Sequence, residues 1–362
     1  MSDPVQTHYQ SYPYPRYPLA ASVRRCDTYA LNLETLWTRF NRTLPPPEAK
    51  KILIAGCGTF APYPWAVANP DVKITALDLS ERSLRRARWH CLLHGRRNVE
   101  YRCGDLLDQS GFDSKFGLID SFGVLHHLEN PLAGLRALER SLVPGGIMRI
   151  MLYSRYARRE EESIRRAFRL LGIKTPKAAR RLLGKARPGS RLAQYLAVAD
   201  EVATDDGIAD ALLHPRARTY CVDDLLELVG QAGLKPLLFA HYGALEAVSD
   251  EIVRLRTLEK VKQAPGNFVL YIGRNREDNK KGRAEGMIML NPCLTSCVGQ
   301  FRLGKLHVPP RVGCDNPPLG FRDRRFLRSF VRPVPSSQIS SSEAEVVARY
   351  KRALFLTEYD QS

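Results

Sequence analysis

The chain has 362 residues, 44% apolar and 26% charged, with 25 Gly and 24 Pro, which excludes collagen, coiled coil and wholesale disorder and leaves length for about two domains. Its 55 Lys and Arg against 38 Asp and Glu give a net charge of +17, which favours anionic partners through long-range steering without naming one. No run approaches the ~18 apolar residues of a membrane span, and MSDPVQTHYQ lacks a basic region followed by an apolar one. A cytoplasmic chain with its eight cysteines reduced is therefore expected.

Residues 1–20 alternate Tyr and Pro (MSDPVQTHYQSYPYPRYPLA), which predicts an extended, non-helical arm. Its rings need a surface, so the arm either packs on its own domain or covers a cleft, with Tyr12, Tyr14, Arg16 and Tyr17 as the covering residues. Residues 1–44 are read as this arm and a cap. From Lys51 the runs KILIAG, KITALDL, VEYRCGD, GLIDSFGVL and IMRIMLY read as strands. Segments of helical length separate them after Tyr63, over 81–94 and over 132–142, and the rhythm predicts βαβ units around a parallel sheet.

Residues 155–218 interrupt that rhythm and read as a helical insertion. Between positions 155 and 191 there are thirteen basic residues against Glu160, Glu161 and Glu162. Ile164, Ala167, Phe168 and Leu171 are spaced as one apolar helix face, and the three glutamates are placed to pair with arginines three and four positions on. The insertion is a candidate surface for an anionic substrate or nucleic acid, although its aromatic residues are too sparse for a single-strand platform. Alternation then resumes with a helix over 222–232 stopped by Gly233, strand KPLLFAH, a helix over 247–261 and strand NFVLYIGR. The expected fold is α/β, a doubly wound, mostly parallel seven-stranded sheet over 45–275 carrying the insertion 155–218.

Residues 276–362 begin with the polar linker REDNKKGRAEG and continue as a small extension ending in a helix over 342–356, either a thin domain or a segment docked on the larger one. Arg322, Arg324, Arg325 and Arg328 add a second basic patch. Cys293, Cys297, His307 and Cys314 are spaced C-x3-C-x9-H-x6-C, outside the paired zinc frameworks, and no metal site is expected.

The chemistry concentrates at strand ends. Gly56-Cys57-Gly58-Thr59 after the first strand allows a tight turn and close approach of a ligand. Asp78 ends the second strand twenty residues after Gly58, placed to accept hydrogen bonds from ribose hydroxyls, with Ser80 as the following helix cap. A dinucleotide and S-adenosylmethionine both satisfy these two features, since Gly56, Gly58 and Ala61 also fit a loose G-x-G-x-x-A. Later strand ends discriminate: Cys103-Gly104-Asp105-Leu106, then Asp120 to Leu128 (DSFGVLHHL) followed by Glu129-Asn130-Pro131, then Leu142-Val143-Pro144-Gly145-Gly146.

In the order and spacing of these motifs, the run 51–154 resembles the class I S-adenosylmethionine-dependent methyltransferases, and its LHHL followed by Pro resembles their small-molecule branch. The resemblance implies S-adenosyl-L-methionine as cofactor. It places Gly56, Cys57, Gly58 and Thr59 beneath the methionine part, Asp78 and Leu79 at the ribose, Asp105 and Leu106 at the adenine, and Gly123 and Val124 at the methionine amino group. Two departures stand out: Ile54 occupies a position where the family often has an acid, and Phe60 replaces the third glycine. His126 and His127 are the candidate general bases, and Tyr14, Arg16, Tyr153 and Arg155 the candidate substrate contacts. No Asn-Pro-Pro-Tyr-type motif follows the fourth strand, which argues against methylation of nucleobase amino groups. The alternatives are an RNA- or protein-directed methyltransferase using the basic insertion, and a binding protein that kept the fold and lost catalysis.

Overall fold

The computed structural model describes residues 3–108, 115–274, 285–299 and 304–361. It opens on a helix, α1 (Pro4–Ser11), where an extended arm is expected. The Tyr and Pro alternation begins only at residue 12, while Pro4 sits at the helix start, where a missing N–H costs nothing, and Asp3 caps the turn by accepting from Val5 N. The non-helical stretch after α1 leads to α2 (Leu33–Asn41).

The central elements follow in chain order as β1 (Lys51–Ala55), α3 (Pro62–Ala68), β2 (Lys73–Asp78), α4 (Glu81–Leu93), β3 (Val99–Cys103), β4 (Phe116–Phe122), α5 (Pro131–Arg140) and β5 (Leu142–Leu152). After the insertion come α10 (Val222–Gln231), β6 (Lys235–Phe239), α11 (Val248–Lys260) and β7 (Phe268–Gly273). The seven strands form one sheet in the order β3-β2-β1-β4-β5-β7-β6. All pairs are parallel except those of β7, which runs antiparallel to both neighbours. Successive β1 residues feed opposite faces: Ile52 and Ile54 join one apolar cluster with Trp65, Leu53 and Ala55 the other with Met148 and Ile150.

The insertion holds α6 (Arg159–Leu170), α7 (Pro176–Leu183), α8 (Arg191–Val198), α9 (Asp205–Ile208) and a π-helical turn over Ala209–Leu213. It has a small core of its own around Phe168, Leu183, Tyr195 and Leu212. Leu171 lies outside that core, 62% exposed, because the helix ends at Leu170. None of the three glutamates pairs with an arginine three or four positions on: Glu160 pairs with Arg191 on α8, Glu161 with Arg158 three residues before it, and Glu162 accepts from the Thr219 hydroxyl. Tertiary packing thus overrides the i, i+4 spacing.

Most of the linker expected at 276–286 lies outside the described residues. Beyond it, β8 (Gly286–Leu290), α12 (Thr295–Gly299), α13 (Phe321–Arg328), β9 (Val334–Pro335), α14 (Ser341–Arg352) and β10 (Leu356–Asp360) build a three-stranded antiparallel sheet, β10-β8-β9. The last helix stops at Arg352, short of the expected 356, because Leu354 takes a positive φ and the apolar run that follows pairs as β10 with β8. The extension shares one apolar cluster with α2 and Tyr29, whose ring meets Phe355 edge-on at 5.4 Å. Asn291 Nδ2 donates to the carbonyls of both Tyr29 and Leu354. Of the second basic patch, Arg324 is buried, donating to the Gly304 and Leu319 carbonyls, and Arg328 donates to that of Val298, so both tie loops together. All eight cysteines are free, and Cys293 lies buried beside Thr28 and the Ala68 carbonyl. No helix among the described residues is long and apolar enough to cross a membrane.

Candidate active site

The strand order reverses between β1 and β4, and in open α/β sheets the crevice beyond that switch point takes the ligand. On the β1 side, Gly56 (φ 74°) and Gly58 (φ 57°) turn the chain, and the amides of Gly56 and Cys57 both donate to Leu77 O at 2.8 and 2.9 Å. Neither glycine tolerates a side chain: a Cβ on Gly56 would lie 2.3 Å from Val124 Cγ2, and one on Gly58 would lie 2.7 Å from Tyr14 O. Gly123, after β4, also has positive φ (79°).

Asp78, at the end of β2, is 9% exposed. Its two oxygens accept from Gly58 N (2.7 Å) and Ser80 N (2.8 Å). Burial pushes its carboxyl up to about 6 despite those two amides. Each oxygen keeps a second lone pair, enough for a pair of ribose hydroxyls. Asp105 is exposed and accepts from Leu107 N, Leu106 is buried, and Leu79 O accepts from Gln6 Nε2 at 3.3 Å. A glycine cradle that admits no Cβ and a buried carboxylate with spare acceptor capacity fit a nucleoside-bearing cofactor.

The arm runs directly over this crevice. Thr59 N donates to Tyr14 O (3.3 Å) and the Thr59 hydroxyl to Pro15 O. The Phe60 ring meets that of Tyr17 at a tilt of 43° with centroids 4.4 Å apart, so the residue in place of the third glycine is a platform for the arm. Arg82 and His90 of α4 and His94 just after it hold the backbone of Gln10, Ala21 and Leu19. Three contacts bridge arm and insertion: Tyr9 Oη donates to Asp210 Oδ1 (2.8 Å), Arg216 pairs with Asp3 (3.3 Å), and Arg16 with Asp206 (3.7 Å).

Beneath the arm lies a group of rings. His126 stacks on Tyr153 and His127 on His214, each with centroids 3.7 Å apart, and His8 is 4.8 Å from His214. His127 Nδ1 lies 2.6 Å from Arg216 O. A carbonyl only accepts, so the hydrogen-bond network puts the proton on Nδ1 and leaves Nε2 a buried lone pair without a partner. His214 has the opposite tautomer, because its Nδ1 accepts from Arg216 N at 3.1 Å. Burial holds all these imidazoles neutral, with His127 lowered to about 3, His8 to about 4, and His126 and His214 well below the usual range. Asp210 is pushed up to about 6 by the same burial. Tyr153 is buried under the guanidinium of Arg158 (4.2 Å), whereas Arg155 is exposed and pairs with Asp224 at 3.0 Å.

These shifts set the pH dependence of stability. A histidine whose folded pKa is depressed contributes stability that is complete above ~6.5 and lost as pH falls through that value. A carboxylate raised to about 6 acts in the opposite sense and is relieved as pH falls toward ~4. Burial lowers His8, His90, His126, His127 and His214 and raises Glu34, Asp78, Glu161, Asp210 and Glu259. The histidine shifts are the larger and are felt first as pH falls below ~6.5, so the melting temperature is expected to be about 5 °C lower at pH 5 than at pH 7.5. His127→Phe with His214→Phe should flatten that dependence, and a melting temperature that rises on acidification would contradict it.

His8, Tyr9, Asp210 and His214 escape sequence inspection. The one available signal is Asp210 and His214, four residues apart in the otherwise apolar run IADALLHP. The acid missing at Ile54 has a neighbour in register, Asp120 on β4. That carboxylate is taken up by Arg149 (2.7 and 3.0 Å) and Trp65 Nε1 (2.9 Å).

Residues 53–148 match a family described as "Methyltransferase domain". An uncharacterized protein of Synechococcus sp. is 26% identical over 300 residues, 75% of this chain and 71% of its own. The ubiquinone biosynthesis O-methyltransferase of Idiomarina loihiensis is 35% identical over 100 residues, 27% of this chain and 40% of that enzyme, so the chain spans less than half of it. In fold, the chain is similar to PKMT2 from Rickettsia typhi, solved in complex with AdoHcy, with a TM-score of 0.58, 15% identity, and coverage of 96% of this chain and 78% of that one.

Proposed function

We propose that this S-adenosylmethionine-dependent methyltransferase of the class I fold moves a methyl group onto a small acceptor, in a chamber closed by its N-terminal arm and its helical insertion. The observation that carries this is Asp78, buried at the end of β2 beside the switch point with half its acceptor capacity unspent, under the arm. The cofactor supplies an activated methyl on a sulfonium. Asp78 and Leu79 would hold its ribose, Asp105 and Leu106 its adenine, and Gly56, Cys57, Gly58, Thr59, Gly123 and Val124 its methionine part.

The protein's share of the work is alignment and exclusion of water. His127 would take the proton of an acceptor hydroxyl at Nε2, while the Arg216 carbonyl holds the ring in that tautomer. His126, packed face to face on Tyr153, would position that tyrosine against the acceptor. Tyr14 and Arg16 belong to the cover, and Arg155, engaged by Asp224, is left out of the acceptor contacts. The LHHL run supports the small-molecule branch. We assign 45–275 to the methyltransferase domain with 155–218 as lid, 1–44 to arm and cap, and 276–362 to linker and extension.

Calorimetric titration of the full chain with S-adenosylhomocysteine tests the cofactor assignment. One-to-one binding with a micromolar Kd, about −8 kcal/mol, is expected. An absence of binding heat together with no retention of labelled cofactor would make the binding-protein alternative the better account.

A further inference from the structure

A cavity of about 640 Å³ opens between α6 and residues 215–219, with Tyr153 in its wall. Arg165, Arg166 and Arg169 line it from one face of α6, with Arg158 at the start of that helix and Arg216 and Arg218 across from them. Their partners decide what the cavity is for. Arg158 is neutralised by Glu161 and Glu201, and Arg216 by Asp3 and Glu129. Arg165 has only the His214 carbonyl (2.7 Å) and Arg218 only that of Glu129 (2.7 Å). Among the described residues no carboxylate lies within ion-pair distance of Arg165, Arg166, Arg169 or Arg218.

Like charges facing one space repel, and the half-buried guanidinium of Arg165, without a carboxylate in ion-pair contact, pays desolvation without return, whereas Arg166, Arg169 and Arg218 are exposed and add positive potential at the cavity mouth. Burial already disfavours the charged form of Arg165. An anion in the cavity removes both costs. Guanidinium forks match tetrahedral oxyanions in two-point hydrogen bonds, and four guanidiniums without an ion pair, against the one carboxylate of Glu162 that lines the cavity without a cation partner, leave an excess of positive charge larger than the single charge of a carboxylate.

We propose that this cavity binds a phosphate or diphosphate group carried by the methyl acceptor, with Arg165 and Arg169 as its principal ligands. The link to the acceptor rests on the methyltransferase assignment above and on Tyr153, which belongs to both the cavity wall and the ring group beneath the arm. A concave site of this volume suits a small molecule, and the cavity wall offers no open row of aromatic rings on which a single strand would stack.

The test is calorimetric titration of the full chain with pyrophosphate, with and without saturating S-adenosylhomocysteine. Submillimolar binding is expected, weakened at least tenfold in Arg165→Gln with Arg169→Gln, while the affinity of that variant for S-adenosylhomocysteine stays within twofold and so reports an intact fold. No pyrophosphate binding by the unmodified protein, or binding indifferent to the double substitution, would overturn the proposal. Citrate binding as tightly as pyrophosphate would overturn the phosphate assignment, and an RNA 12-mer bound more tightly and lost in the same variant would replace the small acceptor with a polymer. Failure to bind S-adenosylhomocysteine would count against the cofactor assignment alone, since the pyrophosphate titration without it still reads the anion site.

Discussion

Asp78→Asn is expected to weaken S-adenosylhomocysteine binding by ~100- to 1000-fold while leaving the sheet intact. The carboxylate receives Gly58 N and Ser80 N and offers its remaining lone pairs at the crevice. The isosteric amide keeps one acceptor and turns the other oxygen into a donor that faces an amide. Hydrogen bonds to a charged acceptor are worth ~1.5–3 kcal/mol each, so weakening two of them costs about 3–4 kcal/mol in binding. Because burial lifts the carboxyl to about 6, the affinity of the unmodified protein should fall as pH drops below 6, when the charged acceptor is lost, and that of the variant should not. Titrations at pH 5 and pH 7.5 would check both effects. Equal affinity in the two proteins at pH 7.5 would remove Asp78 from the cofactor site.

Deleting residues 1–17 is expected to raise the dissociation rate of S-adenosylhomocysteine ~100-fold, read by stopped-flow displacement. The deletion takes away the Tyr14 carbonyl over Gly58, the Tyr17 ring on Phe60 and the Tyr9 link to Asp210, and differences in affinity of this kind appear mainly in dissociation. Val5 is the one apolar side chain of α1 that is buried, so the melting temperature should drop by only about 5 °C. An unchanged dissociation rate would mean that the arm packs on the surface without gating the cleft. Tyr9→Phe isolates the link between arm and insertion, and an increase of about tenfold is expected for it, consistent with one hydrogen bond to a charged group.

Both expectations turn on residues of unequal visibility in the sequence. Asp78 is legible because a strand end, a glycine turn and a spacing of twenty residues are local features. The arm is half legible: its tyrosines and prolines announce a segment in need of a surface, yet α1 hides in the eight residues before the alternation starts. Phe60 reads as a defect in the glycine motif until Tyr17 is seen lying on it. Likewise Glu160 reads as a partner for the next turn of its helix until Arg191, on α8, is found holding it.

The seven strands, the two glycines that turn the first loop, the carboxylate of Asp78 and the basic character of the insertion follow from the sequence by itself, because short apolar runs, turn chemistry and charge are properties of neighbouring residues. Only tertiary structure decided that His8, His127 and His214 share one buried group, that Tyr9 reaches Asp210 across 201 positions, and which arginines keep an uncompensated charge. Those contacts join segments that the chain's local pattern cannot relate. They form because the assembled sheet gives the arm and the insertion one common surface, above its switch point, on which to bury their rings.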